Sequence, residues 1–253
     1  MEIEVHDSRE AAGSAVAAKL AAAIAKRPDL VLGLSAGRAS LYAYDDLVKR
    51  YARGAASFRR LTTFACDEYV GLAPGDPRST RYLLNHHLFN HVDAPKEQTF
   101  VPNGAVKDLD AECRAYDLLI EARGGIDLAV LGLGYNGHVA LNEPGSTKTS
   151  PTRVVDLTPT TLAAVSGGER FRNLDETPSQ AITLGMASIL AARKVLLIAT
   201  GMGKAEIVHR VVRGRAGPAV PATLLLGHPD LTVIIDTDAG TRLANSDTWR
   251  KNA

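Results

Sequence analysis

The chain has 253 residues, of which 45% are hydrophobic and 23% are charged, a composition typical of a globular protein with a substantial core. Its formal net charge is +1, and it has neither a basic tail nor aromatic residues interleaved with lysine or arginine runs, so no nucleic-acid partner is indicated. No apolar run approaches the roughly 18 residues of a membrane span, and we expect the partner to be a small molecule.

The chain begins with an acidic segment, residues 1–10, which lacks the apolar stretch of a signal peptide. The two cysteines, Cys66 and Cys113, are too few for a disulfide framework and lack the spacing of metal ligands. Together these features favour a reducing, cytoplasmic location for a chain that is not processed.

Short apolar runs alternate with helix-forming segments along most of the chain. The first helix is predicted over residues 7–26, with Asp7 or Ser8 as its N-cap. Strands are predicted over residues 30–34, 61–66, 126–131, 194–200 and 231–235. Further helices are predicted over residues 39–53, 79–90, 109–123 and 204–213. This alternation predicts one α/β domain over 1–253, with a doubly wound, mostly parallel sheet and helices on both faces, as in Rossmann-like folds.

One connection is unusually long and irregular. Residues 146–178 are rich in serine, threonine, glycine and proline. Long connections of this kind often cover an active site. We therefore expect a mobile lid around residues 157–181.

Ligands of open parallel sheets bind beyond the carboxyl ends of the strands. After the first predicted strand, a turn leads into a helix whose free N–H groups suit a phosphate, and its residues are Ser35, Ala36, Gly37 and Arg38. Lys204 stands at another helix start, where a cation opposes the helix dipole by about 0.3–1 kcal/mol unless an anion binds there. Without a ligand, Gly37 is explained by the steric requirement of the tight turn. Lys204 is then explained as a side chain that extends into solvent.

Two adjacent carboxylates, Asp67 and Glu68, stand where the second predicted strand ends. Alternation along a strand directs them to opposite sides, so only one of them needs to face a ligand. Partial burial beside a second carboxylate raises the pKa of such an acid towards the range useful for proton transfer. A purely structural explanation is an acidic turn that caps a neighbouring backbone amide.

A glycine-rich segment follows the third predicted strand. Gly132, Gly134 and Gly137 have the G-x-G-x-x-G spacing of a dinucleotide site, and Asp156 lies near the distance expected for a ribose-binding acid. That fingerprint needs a helix at the third glycine, whereas Pro144 closes this segment seven residues later. The glycines are better explained by close approach of the backbone to another ligand.

The same segment carries His138 and, five residues later, Glu143. A histidine whose tautomer and basicity are set by a carboxylate can act as a proton shuttle. A second group of histidines, at positions 86, 87 and 91, includes a pair four residues apart that could bind zinc. No third ligand is evident near them, and an ordinary helix face is the expected outcome.

Several segments together resemble the glucosamine-6-phosphate deaminase family, which belongs to a superfamily with the 6-phosphogluconolactonases. The resemblance spans nearly the whole chain, and its segments are LGLSAGRASLYAYDDL from Leu32, TTFACDEYVGLAPGDPRST from Thr62, DLDAECRAYDLLIEARGGIDLAVLGLGYNGHVALNEPGST from Asp108 and TGMGKA from Thr200. DEYVG and GHVALNEPG are specific to the deaminases, because the lactonase counterparts read more like DER and DGHTASLFP.

The resemblance implies a two-stage reaction on an amino-sugar 6-phosphate. His138, oriented by Glu143 and Asn136, would open the sugar ring by moving a proton between O1 and O5. Asp67 would then move a proton from C2 to C1, and the resulting imine would lose ammonia to give a ketose 6-phosphate. No metal or organic cofactor is implied, because the carbonyl and amine of the substrate supply the electron sink.

The resemblance places the substrate phosphate on the turn at Gly37, on Lys204 and on an arginine of the lid, with Gly137 also at the substrate. Either Arg170 or Arg172 fits the lid position, and Arg170 is preferred. Several positions depart from the family pattern. Residue 136 is asparagine where some members have aspartate, and the turn has Ala36 and Arg38 where the family more often has T-G-G/S-T-P, which leaves the identity of the sugar open.

The allosteric positions of the family point to an unregulated enzyme. Arg153 has a counterpart among the allosteric residues of hexameric members, but Val155 replaces their lysine. We therefore expect a monomer or small homo-oligomer without an amino-sugar effector. Three further functions stay open at this point: a 6-phosphogluconolactonase, a galactosamine-6-phosphate deaminase and, from another class, a sugar-phosphate-sensing domain.

Overall fold

A computed structural model of the chain describes residues 1–168 and 170–244. The strands of this part are β1 (Glu2–His6), β2 (Val31–Leu34), β3 (Thr62–Ala65), β4 (Asp67–Tyr69), β5 (Thr99–Phe100), β6 (Leu128–Gly132), β7 (Arg153–Asp156), β8 (Gln180–Thr183), β9 (Lys194–Ala199) and β10 (Leu231–Asp236). The helices are α1 (Arg9–Lys26), α2 (Arg38–Ala52), α3 (Thr80–His87), α4 (Leu109–Ala122), α5 (Pro159–Val165), α6 (Met186–Leu190), α7 (Ala205–Arg213) and α8 (Thr241–Ala244).

The main sheet has seven parallel strands in the order β1-β10-β9-β6-β2-β3-β5. From β2 the chain proceeds outward through β3 and β5, and from β6 it proceeds in the opposite direction through β9 and β10. The neighbours β2 and β6 therefore form the switch point at which open α/β sheets bind ligands. The predicted doubly wound, mostly parallel sheet is confirmed.

The apolar residues of the central strands pack on both faces of the sheet. In β6, Leu128 and Val130 are buried with residues of α1 and α2, whereas Ala129 and Leu131 are buried with residues of α4 and α7. Strands covered on both faces have continuous apolar runs, which is why the sequence located them. This packing fixes β2 and β6 rigidly beneath the loops at their carboxyl ends.

The element boundaries differ from the sequence prediction in a few places. Helix α1 is capped by Ser8, whose hydroxyl accepts from the N–H of Ala11 at 3.1 Å, so the second of the two predicted caps is correct. The predicted strand 61–66 ends earlier, and β4 begins a separate sheet after Cys66. The predicted helix 79–90 is wrong beyond His87, where a short 3₁₀ turn follows.

A second sheet, antiparallel and three-stranded, has the order β4-β8-β7. The predicted lid, 157–181, contains α5 and ends within β8. A small apolar cluster holds it against the rest of the molecule through Phe171 of the lid and Tyr69 of β4. The lid is thus a packed segment between two strands, and its mobility stays a prediction.

Among the described residues, none of the helices combines the length and the apolar character needed to cross a membrane.

Candidate active site

The turn after β2 lies beside the end of β6, at the switch point of the sheet. The hydroxyl of Ser35 accepts from the N–H of Gly132 at 3.2 Å and lies 2.8 Å from the hydroxyl of Ser40. Ala36 is buried, whereas Gly37 is exposed as the N-cap of α2 and makes no side-chain cap hydrogen bond. The first N–H groups of α2 are therefore available to an anion. Arg38, the first residue of this helix, is exposed at the same place.

Asp67 and Glu68 diverge at the start of β4, as the strand alternation predicts. Asp67 Oδ1 accepts from the hydroxyl of Thr80 at 3.0 Å. Glu68 is 2% exposed and accepts from the backbone N–H groups of Tyr69, Thr80 and Arg81 at 2.9–3.1 Å. Glu68 thus caps helix α3, which leaves Asp67 as the carboxylate that can act on a ligand.

Burial raises the pKa of Asp67 above its ordinary value. The positive charges of Arg170 and His138 and the hydrogen bond from Thr80 act in the opposite direction and offset part of this rise. A buried carboxylate with a raised pKa is a stronger base than one in water, provided that it stays ionised. The surroundings of Asp67 combine this burial with a hydroxyl donor and a neighbouring arginine that favour the ionised form, which suits a general base.

The glycine-rich loop after β6 contains no helix. Isolated bridges join Leu133 to Val139 and Val139 to Asn142, and the side chain of Asn142 donates to the carbonyl of Leu184 at 2.8 Å. Ala140 has a φ of 50°, a strained conformation that persists because the neighbouring contacts hold it. A dinucleotide site is therefore excluded, because its helix N-terminus is missing after Gly137.

His138 and Glu143 come together in this loop. His138 Nδ1 lies 3.7 Å from Glu143 Oε2 and 3.3 Å from the hydroxyl of Thr161, so Nε2 is the ring nitrogen on the opposite side. Asn136 supports both residues, because its side chain donates to Glu143 Oε2 and accepts from the N–H of His138. The histidine is thus fixed in orientation by a carboxylate.

Burial alone would raise the pKa of Glu143. The contact with His138, hydrogen bonding by Thr161 and Asn136, and the charge of the histidine outweigh burial and lower this pKa to about 2. Glu143 also accepts from the N–H and the hydroxyl of Thr158, the N-cap of α5, at 3.3 and 3.2 Å. Glu143 is therefore an anion placed to stabilise an imidazolium that forms at His138, and it ties the lid to the site.

Gly134 lies directly beneath the ring of His138. A Cβ atom at this position would approach the ring atoms Nε2 and Cε1 to 2.3 Å, far inside van der Waals contact. Gly137 has a φ of 86°, and its carbonyl accepts from the N–H of Ala222 at 2.8 Å. The second and third glycines of the loop thus make room for the histidine ring and for the turn beside it.

Lys204 reaches back from the start of α7 to the same loop. Its Nζ donates to the carbonyl of Leu133 at 2.7 Å and lies 3.5 Å from the ring centre of Tyr135. Burial lowers the pKa of Lys204 to about 8. The helix dipole disfavours a cation at this position, and the carbonyl of Leu133 and the ring of Tyr135 stabilise the charge of Lys204 against it.

Arg170 of the lid lies next to Asp67. Its guanidinium donates to the carbonyl of Arg78 at 2.6 Å and to the hydroxyl of Thr80 at 3.0 Å, and it stacks 4.5 Å from the ring centre of Tyr69. Arg172 is exposed. The geometry therefore favours Arg170 as the lid arginine of the site.

The histidines of α3 and the following turn make ordinary surface contacts. His87 pairs with Asp45 at 2.8 Å, and His91 bonds to the carbonyl of His86 at 2.8 Å. Within residues 1–168 and 170–244, no group of three metal-ligating side chains occurs.

Comparison with known proteins identifies the family. The model of the glucosamine-6-phosphate isomerases/6-phosphogluconolactonase family matches residues 5–234 of the chain. The chain belongs to this family. The glucosamine-6-phosphate deaminase of Geobacillus sp. strain WCH70 is 45% identical over 218 residues, which is 86% of each protein. That of Bacillus pumilus strain SAFR-032 is 42% identical over 241 residues, which is 95% of this chain and 99% of the relative.

Two solved structures have the same fold as this chain. A monomeric glucosamine-6-phosphate deaminase superposes with a TM-score of 0.93 at 36% identity, over 96% of this chain and 100% of that one. The 6-phosphogluconolactonase of Trypanosoma brucei superposes with a TM-score of 0.77 at 21% identity, over 96% and 98% of the two chains. At this lower identity the likeness concerns the fold alone.

Three threonines of this family member are not recognisable from the sequence as site residues. They are Thr80 beside Asp67, and Thr158 and Thr161 beside the pair of His138 and Glu143. Thr80 and Thr158 each stand at a helix start, which the sequence shows as a Ser-Thr and a Thr-Pro pair. A helix start alone does not show which carboxylate its hydroxyl contacts.

Proposed function

We propose that the chain is an amino-sugar 6-phosphate deaminase that converts glucosamine 6-phosphate and water to fructose 6-phosphate and ammonia. The observation that carries the proposal is that Asp67 meets the loop of His138 and Glu143. Thr183, which pairs with Asp67, accepts from the N–H of Leu141 in this loop at 3.0 Å, and the charge of His138 acts on the pKa of Asp67. The two deaminase relatives bear the name of this enzyme and align with 86% and 95% of the chain. One site thus holds the groups for two successive proton transfers.

Ring opening is the task of His138. The ring nitrogen Nε2 takes the proton of the O1 hydroxyl and delivers it to O5, so that the C1–O5 bond breaks and an aldehyde forms. The negative charge of Glu143 stabilises the imidazolium that exists between these two events. Asn136 fixes the position of the carboxylate relative to the backbone of His138 through one hydrogen bond to each.

Isomerisation is the task of Asp67. Its carboxylate removes the proton from C2 of the open-chain sugar, which gives an enolamine, and returns it to C1. The product is a 2-imino sugar, and water then hydrolyses its carbon–nitrogen bond to release ammonia. The aldehyde accepts the electrons of the broken C–H bond, and the amine nitrogen supplies its lone pair to form the C2=N bond when C1 is protonated, so the proposal needs no metal or organic cofactor.

The phosphate is assigned to the turn at the start of α2, to Lys204 and to Arg170. The turn has free helix N–H groups and the charge of Arg38, with Ser35 and Ala36 forming its buried side. Lys204 is held by the carbonyl of Leu133, which follows β6, and Arg170 is held by the carbonyl of Arg78 and the hydroxyl of Thr80. In this arrangement Gly137 shapes the loop that carries His138 and contacts the sugar through its backbone.

The proposal is tested by incubating the purified protein with glucosamine 6-phosphate and measuring ammonia and fructose 6-phosphate. Asp67→Asn should abolish exchange of the C2 proton with deuterium from the solvent and leave binding of the sugar phosphate largely unchanged, because the amide cannot accept the proton. Normal exchange in this variant would remove Asp67 from its role. Hydrolysis of 6-phosphogluconolactone without ammonia release would overturn the deaminase assignment.

A galactosamine-6-phosphate deaminase and a sugar-phosphate-sensing domain are distinguished with the same purified protein. Turnover of galactosamine 6-phosphate in preference to its C4 epimer would change the substrate but not the mechanism. Binding of sugar phosphates without turnover would indicate the sensing domain. The presence of both the base Asp67 and the pair of His138 and Glu143 favours the enzyme, because a sensor needs no proton shuttle.

The enzyme is assigned to the cytoplasm, as a monomer or small homo-oligomer. Sugar phosphates are charged and do not cross membranes unaided, because transfer of a charge into an apolar phase is very unfavourable. Cys66 and Cys113 are both free and buried, which agrees with a reducing compartment. The solved deaminase with a TM-score of 0.93 is described as monomeric, which supports the small assembly.

A further inference from the structure

Thr80 is fully buried between two groups of opposite charge. Its hydroxyl lies 3.0 Å from Asp67 Oδ1 and 3.0 Å from the terminal nitrogen Nη2 of Arg170. A hydroxyl has one proton to donate, and a guanidinium cannot accept a hydrogen bond. The direction of the chain is therefore fixed: Arg170 donates to Thr80, and Thr80 donates to Asp67.

The position of this hydroxyl is set by the backbone on which it stands. Thr80 is the first residue of α3, and its N–H donates to Glu68 Oε1 at 2.9 Å. Ser79 caps the same helix by accepting from the N–H of Tyr82 at 3.0 Å. Thr80 thus donates a hydrogen bond to each of the two adjacent carboxylates, to Glu68 from its backbone N–H and to Asp67 from its hydroxyl.

Arg170 is anchored on its other side as well. It donates to the carbonyl of Arg78 and stacks on the ring of Tyr69, which belongs to β4 like Asp67. Arg170 itself belongs to the lid between α5 and β8. Thr80 is therefore the point at which a cation of the lid is connected to the candidate base.

We propose that Thr80 is a positioning residue that holds one oxygen of Asp67, leaves the other free for the C2 proton, and transmits to Asp67 the charge of Arg170. This role rests on the proposed function, since it assigns the base of that reaction. The hydroxyl stabilises the carboxylate form, and its own acidity increases when Arg170 donates to it. Movement of Arg170 towards a substrate phosphate weakens this stabilisation, so Asp67 becomes a stronger base when a phosphorylated sugar is bound.

The test compares Thr80→Val, which removes the hydroxyl at nearly constant shape, with Thr80→Ser, which retains it. Thr63→Val is the matched control, because Thr63 is buried in β3 and its hydroxyl has no hydrogen-bond partner among the described residues. Thr80→Val removes the bond that orients the carboxylate of Asp67, so kcat should fall roughly tenfold or more although Asp67 becomes more basic, with little change in KM. Thr80→Ser should recover most of the rate, and Thr63→Val should behave as wild type.

A direct readout separates this role from a general loss of structure. The hydrogen bond from Thr80 and the charge of Arg170 both lower the pKa of Asp67. Thr80→Val should therefore raise this pKa by about one unit, and the acidic limb of the kcat/KM profile should move to higher pH by the same amount. Carbon-13 NMR of labelled aspartate carboxyl groups, with Asp67→Asn for assignment, measures the pKa without any substrate.

The outcomes for Thr80 and for the enzyme are distinct. A wild-type protein that releases no ammonia from glucosamine 6-phosphate would overturn the proposed function. An unchanged titration of Asp67 in a folded Thr80→Val protein would overturn the role of Thr80, whatever the substrate. Arg170→Gln serves if the valine variant does not fold, because it removes the charge but keeps the hydroxyl. It should raise the pKa of Asp67 in the same direction, and an unchanged pKa would contradict the relay.

Discussion

At the scale of single residues, environment gives neighbouring groups of the same chemistry different tasks. Glu68 accepts hydrogen bonds from three backbone N–H groups and caps helix α3, whereas Asp67 accepts one from a hydroxyl and lies beside Arg170. Backbone donors in fixed positions stabilise the charged form of a carboxylate in every state of the site. In the proposed relay, the ionisation of Asp67 instead responds to the ligand through Thr80 and Arg170.

Lys204 provides a pH-dependent prediction. Its pKa is lowered to about 8 from the ordinary value of 10.5 because the amine is largely buried. Below this pKa the amine is charged and can bind a phosphate, and above it the charge is lost. The Kd for fructose 6-phosphate should therefore rise about tenfold or more between about pH 7 and pH 9, the range in which a charge-assisted hydrogen bond disappears.

Calorimetry with fructose 6-phosphate is the appropriate measurement, because this sugar has no amine of its own that titrates. Lys204→Arg should keep its charge throughout the range and remove the pH dependence. Lys204→Ala should bind weakly at every pH. The same inflexion in the arginine variant would show that another group is responsible.

At the scale of elements, the loop after β6 is built around the ring of His138. Gly134→Ala should displace this ring, because the new methyl group would lie 2.3 Å from it. We expect kcat to fall by about a hundredfold, because a displacement of about 1 Å in a catalytic group can slow a reaction by that much. The unfolding midpoint in urea should be nearly unchanged. Gly75→Ala is the control, since a Cβ there meets nothing within 4 Å. Full activity of Gly134→Ala would exclude the close packing of this ring as a requirement.

Strong local patterns made most elements of the main sheet predictable. The five inner strands, β2, β3, β6, β9 and β10, are largely apolar because both of their faces are covered, and their predicted positions are correct to within a few residues. The edge strands β1 and β5 and the strands β4, β7 and β8 escape prediction because they have two to five residues each and mixed polarity. Their pairing depends on contacts between distant segments, which no local pattern records.

The candidate site was predictable where its residues are close in sequence or follow a strand. Asp67, His138 and Glu143 satisfy one of these conditions. Thr161 contacts His138 across 23 residues, and Arg170 contacts Thr80 across 90. Such contacts are decided by the path of the lid, which no local pattern records.

At the scale of the whole molecule, the site is assembled from the two halves of the sheet. Ser35 follows β2 of one half, and Gly132 ends β6 of the other, and a hydrogen bond joins them. The lid adds Thr158, which bonds to Glu143 of the loop after β6, and Arg170, which bonds to Thr80 of α3. The candidate site therefore combines residues from both halves of the sheet with residues of the lid.

Arg153, which the family resemblance matches to an allosteric position, makes its contacts within this chain. Its guanidinium donates to Asn142 Oδ1 at 3.0 Å, to the carbonyl of Pro151 at 3.1 Å and to the hydroxyl of Ser146 at 2.7 Å. An effector would have to break these bonds, and Val155 offers it no charge. We expect hyperbolic saturation by glucosamine 6-phosphate, no activation by an acetylated amino-sugar phosphate, and a mass by light scattering of 26.9 kDa or a small multiple of it. Sigmoidal kinetics that an effector makes hyperbolic, together with a hexameric mass, would show instead that Arg153 exchanges its internal partners for the ligand.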